Sequence, residues 1–165
     1  MPSTAEIAVA LRQAAPEDEL FLRGLFAAVR GPEFAAAGLP GAMVAQLLGQ
    51  QYRPQQAGYA AAFPQASSLV ILREGVSVGR VLLAGRPSGE GWALHIVDIA
   101  ILPTRQGQGI GSDVIEALAR AARSDGAAGL SLSVLSTNTK ARRLYERLGF
   151  TEAGAGVYTA MIKRL

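Results

Sequence analysis

The stretch from Leu94 to Asp125, LHIVDIAILPTRQGQGIGSDVIEALARAARSD, constrains this chain more than any other. Leu94 to Leu102 is apolar and rich in branched residues, interrupted only by His95 and Asp98, as expected for a strand covered on both faces. Pro103 ends it, because proline has no N–H for the ladder. A glycine-rich turn follows from Gln106 to Gly111, and then Ile110, Val114, Leu118 and Ala122 recur at the spacing of one helix face. Glycines in such a turn let a ligand approach the backbone closely. The first turn of a helix has unpaired donors and a positive dipole end, so an anion belongs there. The segment therefore predicts a strand, a phosphate-holding turn and a helix.

The spacing narrows the ligand. A P-loop needs Gly-Lys-Ser/Thr at the helix start, and Gly111-Ser112-Asp113 has no lysine. A dinucleotide fingerprint needs G-x-G-x-x-G, whereas Gly107, Gly109 and Gly111 are spaced G-x-G-x-G. What fits is Q/R-x-x-G-x-G/A, here Gln106 to Gly111, directly after an apolar strand and a proline. This resembles the pyrophosphate-binding motif of the GNAT (GCN5-related) N-acetyltransferases, which bind acetyl-coenzyme A. A second stretch, from Asn138 to Phe150, is similar to that family's N-x-x-A-x-x-L-Y-x-x-L-G-F segment at every named position. Read without the family, Asn138 caps a helix, Ala141, Leu144, Tyr145 and Leu148 form one stripe, and Gly149 stops it. The stripe alone reads as core packing; its place after the phosphate motif also makes Tyr145 a functional candidate.

At 165 residues the chain is expected to form one domain, 1–165, with enough length for a core. It has no apolar run long enough to span a membrane and no basic start of a secretory signal. The absence of cysteine excludes thiol catalysis and cysteine-bound metal, and a single histidine makes a zinc or triad site improbable. No metal is therefore expected, and a cytoplasmic address follows by default. The net charge of +3 is too modest to argue for nucleic acid. The one dense basic run, Lys140, Arg142, Arg143 and Arg147, reads first as a solvated helix face and second as counter-charge for phosphates.

Taken in order, the chain predicts a strand over Ile7–Arg12 and a helix from Pro16 to Arg30, broken at Gly31-Pro32. A second helix is expected over Met43–Tyr52, and the role of Gln50–Pro64 is left open between the cover of an acceptor pocket, which the resemblance implies, and a helix followed by a loop packed over the sheet. A hairpin over Ser68–Arg73 and Val76–Arg86 follows, then the central strand, a helix, a strand, a helix and a terminal hairpin. This is the GNAT order. The resemblance implies an α/β fold, a mixed and mostly antiparallel sheet of about seven strands flanked by about four helices.

It also implies an activity, transfer of acetyl from acetyl-CoA directly to a small-molecule or protein amine. Ile101 and Leu102 would meet the acetyl end by their main chain, with the Ile101 N–H on the acetyl carbonyl. Gln106, Gly107, Gln108, Gly109, Ile110, Gly111 and Ser112 would hold the pyrophosphate, and Asn138 and Tyr145 would line the coenzyme. Tyr145 matches the family's general acid. His95 and Asp98 are the titratable residues of the central strand and the candidates for the base, with ordered water as the alternative. Asp98 stands three residues from Ile101, on the opposite face of a regular strand, unless a bulge intervenes. The acceptor pocket is sought among Gln50, Gln51, Tyr52, Arg53 and Tyr59. A homodimer is frequent in the family. A catalytically silent acyl-CoA sensor and a nucleotide-binding module are the competing functions.

Overall fold

In a computed structural model, residues 9–89 and 91–165 are described. Seven strands form one sheet in the order β1-β2-β3-β4-β5-β7-β6. They are β1 (Ala10–Gln13), β2 (Ser67–Arg73), β3 (Val76–Ser88), β4 (Gly91–Ile101), β5 (Gly129–Leu135), β6 (Thr151–Gly154) and β7 (Tyr158–Arg164). Only β4 and β5 run parallel; every other neighbour is antiparallel. The helices are α1 (Glu19–Ala36), α2 (Gly41–Ala62), α3 (Ile110–Ser124) and α4 (Thr139–Arg147). No described helix is long and apolar enough to cross a membrane. The expected element order and mixed sheet are thus observed. Of the first predicted strand, Ile7 and Ala8 lie outside the described residues.

Helices α3 and α4 cover one face. Ile110, Val114, Ile115 and Leu118 of α3 are buried against Val81, Leu83 and Ile96 of the sheet, with Tyr145 of α4 and Leu148 just after it packed beside them. On the other face α1 and α2 pack together through Phe26, Leu48 and Tyr52. Strand β3 is buried continuously from Val78 to Ala84 because both faces are covered. Gly79 is needed there: a β-carbon would run into the Ala100 carbonyl of β4 and stand 3.1 Å from Ile71 Cδ1.

Two expectations about the helices are corrected. Gly31-Pro32 does not break α1, which continues to Ala36 with Pro32 inside it. Proline removes one intrahelical bond, but packing against α2 holds the turn, with Leu48 Cδ1 3.8 Å from a β-carbon built on Gly31. Likewise α2 runs past Tyr52 and Pro54 to Ala62, so most of Gln50–Pro64 is helix. Along α1, Leu20 is 85% exposed whereas Leu22 packs against the Phe26–Tyr52 cluster. The start of α1 is pinned to the sheet. Arg12 of β1 grips both Asp18 oxygens at 2.7 and 2.8 Å and the Ala15 N–H donates to Oδ2 at 2.8 Å. Together they hold the Asp18 carboxyl down at about 2.

Candidate active site

The glycine turn has the shape its composition predicts. Gly107 and Gly109 adopt φ of 76° and 80°, left-handed conformations open to glycine at little cost. A β-carbon at either would meet no atom within 4 Å, so the space before the turn is free. The first intrahelical bond runs from the Asp113 N–H to the Gly109 carbonyl at 3.0 Å. The N–H groups of Ile110, Gly111 and Ser112 precede that bond and lack intrahelical acceptors. Such a concavity of backbone donors at a helix start favours phosphate oxygens. The Gln106 side chain ties the turn to β4 by donating to the Ile101 carbonyl at 3.1 Å. Arg73 braces it from β2, donating to the Gln108 carbonyl at 3.2 Å.

Beside the turn, β4 and β5 separate. Their ladder holds only from Ala93–Gly129 to Ile96–Leu132. Beyond it lies a cleft of about 220 Å³ lined by Val97, Asp98 and Ile99 of β4, Ser133 to Leu135 of β5, and Asn138, Ala141 and Tyr145. The Leu102 N–H donates to the Val78 carbonyl of β3 at 2.9 Å, so it is taken up in the sheet. Main-chain groups alternate sides along a strand, which turns the N–H groups of Ile101 and Ile99 away from β3, toward the gap. Asn138 caps α4 by accepting from the Ala141 N–H at 3.2 Å, which seats Tyr145 at the cleft. Burial pushes the Tyr145 phenol above its ordinary value, and the Asp98 carboxylate adds to the shift.

The bulge matters more for His95 than for Ile101. Leu82 pairs with Asp98 but Leu83 with Ile96, leaving Val97 as the extra residue. His95 and Asp98, which would face opposite ways in a regular strand, therefore share the face under α1 and α2. Asp98 stays opposite the Ile101 side chain, since the bulge precedes both.

The two candidate bases differ in surroundings. His95 is 5% exposed, stacked against Phe63 at 5.6 Å, and is not among the residues lining the cleft. Its Nδ1 lies 2.8 Å from Ser131 Oγ and 3.4 Å from Arg86 Nη1. A guanidinium only donates, so Nδ1 accepts and a neutral ring carries its hydrogen on Nε2. Burial, aided by the Arg86 charge, pushes the ring down to about 4. Folding therefore favours the neutral form, and its contribution is complete above the ordinary histidine value and lost as pH falls toward 4. We expect the melting temperature of His95→Gln to converge on that of the native protein between pH 6.5 and 4.5, measured by calorimetry at each pH. A constant difference across that window would contradict it.

Asp98 borders the cleft and also a cavity of about 190 Å³ beneath α1 and α2. Its Oδ2 accepts from Arg80 Nη2 at 2.8 Å, and Arg80 Nη1 donates to Gln56 Oε1 at 2.8 Å. Tyr52, Gln56 and Tyr59 of α2 line the same cavity. Burial raises the Tyr59 phenol, with further contributions from Asp98 and from Tyr158 of β7. Of the predicted acceptor residues, Tyr52 and Tyr59 meet at this cavity, Arg53 lines a neighbouring one, and Gln50 and Gln51 line neither. Sequence reasoning missed Arg80 and Gln56. The signal was present: a lone arginine inside the apolar run of β3 must find a partner.

Comparison with known proteins shows the family and the fold. The acetyltransferase (GNAT) family model matches residues 42–150, which include the central strand, the turn and α4. The chain belongs to the GNAT acetyltransferase family. Among curated relatives it is 36% identical over 81 residues to the uncharacterized N-acetyltransferase YycN of Bacillus subtilis, covering 49% of this chain and 52% of that one. It is 40% identical over 60 residues to the bovine thialysine N-epsilon-acetyltransferase, covering 36% and 35%. The chain thus matches about half or less of these relatives' lengths. The PaiA N-acetyltransferase of Thermoplasma acidophilum, solved with coenzyme A, has the same fold, with a TM-score of 0.68 at 14% identity over 96% of this chain and 99% of that one.

Proposed function

We propose that the protein is an acetyl-CoA-dependent N-acetyltransferase that moves acetyl directly to an amine while both are bound. The observation that carries this reading is the cleft between β4 and β5, which lies along the strand that leads into the glycine turn and shares Asp98 with the α2 cavity. Acetyl-CoA, when bound, supplies a thioester carbonyl and a thiolate leaving group. The free space before Gly107 and Gly109 and the unpaired main chain of β4 suit its pyrophosphate and its acyl arm.

The chain's own groups then divide the work. The Ile101 N–H donates to the thioester oxygen and strengthens that bond as charge develops; one such donor is worth about 3 kcal/mol. Tyr145 remains protonated through neutral pH, since its phenol is raised, and it gives its proton to the thiolate. Asp98 accepts a hydrogen bond from the incoming neutral amine and aligns it toward the cleft; as the N–C bond forms and the C–S bond breaks, the proton released by the amine passes by way of Asp98 to water, and water returns a proton to Tyr145. Aromatic walls at Tyr52 and Tyr59, with Arg53 and Arg80 nearby, suit a small acceptor without multiple positive charges.

The test is release of free thiol from acetyl-CoA over many turnovers with a panel of small monoamines, amino acids, polyamines and peptides. We expect a small monoamine to be acetylated, and Tyr59→Ala to raise its KM with acetyl-CoA affinity unchanged. Acetyl-CoA binding without thiol release from any amine would give the function to the silent sensor instead.

A further inference from the structure

We propose that Arg80 is a positioning residue that links the acceptor-side helix α2 to Asp98, so that seating of α2 sets the carboxylate that receives the amine. This rests on the acetyl-transfer reading above. Arg80 is 7% exposed, in the middle of a strand buried on both faces. A guanidinium so placed must have its donors occupied, because an unpaired buried charge is costly. Its two Nη atoms are used in different directions, each at 2.8 Å, one on Gln56 of α2 and one on Asp98 of β4. The planar fork fixes the angle between those bonds, which a lysine would not. Arg80 therefore transmits the position of α2 to Asp98.

The register explains why this link falls at the cleft. Arg80 faces Ala100 and Leu82 faces Asp98 across the β3–β4 ladder, so Arg80 and Asp98 are diagonal neighbours on one face. The bulge at Val97 immediately precedes Asp98, which pairs with Leu82 and lines the cleft. Only one of its oxygens is used by Arg80, and the side chain is 30% exposed, so Oδ1 is available to an amine. Arg80 does not line the cleft between β4 and β5. Its loss should therefore act on the acceptor side and spare the donor side.

A double-mutant cycle on kcat/KM for the amine tests this, with Arg80→Met, Asp98→Asn and the pair. Arg80→Met should lose roughly 10- to 100-fold, the scale of a misplaced group, with unchanged acetyl-CoA affinity by calorimetry. Arg80→Lys should recover only part of it. In the Asp98→Asn background, Arg80→Met should add less than about 3-fold, since a residue acting through another has no effect once that other is gone. Full multiplication of the two losses would overturn the proposal. The second measurement needs no turnover: hydrogen exchange of the α2 amides from Gln56 to Ala62 should quicken in Arg80→Met and in Gln56→Leu, but not in Asp98→Asn. Unchanged exchange in Arg80→Met would also overturn it. If the native protein acetylates no amine, the transfer reading falls, and the exchange result alone decides whether Arg80 ties α2 to the sheet.

Discussion

Gly109→Asp should abolish measurable acetyl-CoA binding while leaving the fold in place. Gly109 stands at φ 80° directly before α3, and a side chain there would enter the open space in front of the turn. That space is where phosphate oxygens would receive the N–H groups of Ile110 to Ser112. An aspartate adds a negative charge at that point, opposes the helix dipole's attraction for the ligand and takes the donors for itself. Losing two charge-assisted hydrogen bonds at about 1.5–3 kcal/mol each amounts to at least roughly 10²-fold in affinity. Aspartate is among the few side chains that enter the left-handed region at modest cost, so circular dichroism should be unchanged. Titration calorimetry checks the result, and undiminished binding would remove the turn from the ligand site. Gly111→Ala is the contrasting change. Its β-carbon would rest 3.6 Å from Ile101 Cδ1, an ordinary contact, and binding should survive.

Tyr145→Phe should lower turnover by roughly 10²-fold or more, the usual contribution of a positioned acid, with acetyl-CoA affinity little altered. The ring itself packs edge-on against Phe150 at 5.7 Å and contacts the main core. Phenylalanine keeps that packing, so stability should hardly move. The hydroxyl is the variable that remains. Full turnover in Tyr145→Phe would reduce Tyr145 to a packing residue and require another source for the thiolate's proton.

The sequence was most legible where local chemistry and function coincide. Pro103, the glycine turn and the stripe of α3 each dictate a local geometry, and the chain adopts it. Asn138 caps α4 as its position predicts. The second half of α2 was hard to read for a physical reason. Tyr52, Gln56, Tyr59 and Phe63 recur at helical spacing, but they mix polar and aromatic groups, so no hydrophobic stripe appears. Pro32 and Pro54 are ordinarily breakers, yet packing between α1 and α2 outweighs the bond each removes. The bulge at Val97 left no local trace either, because it arises from the register between β3 and β4. That one extra residue brings His95 and Asp98 to the same face. It is also why burial and partners, rather than intrinsic pKa, separate the two as candidate bases.

The central claim is that the coenzyme lies along the gap between β4 and β5 with its phosphates on the glycine turn. Amide resonances of nitrogen-15-labelled protein, recorded as coenzyme A is added, test this most directly. The amides of Ile99, Ile101 and Gly107 to Ser112, with Ala141 and Tyr145 of α4, should move in the native protein and stay still in Gly109→Asp. Unmoved resonances at those positions, with shifts confined to α1 and α2 or equal in both proteins, would contradict the account.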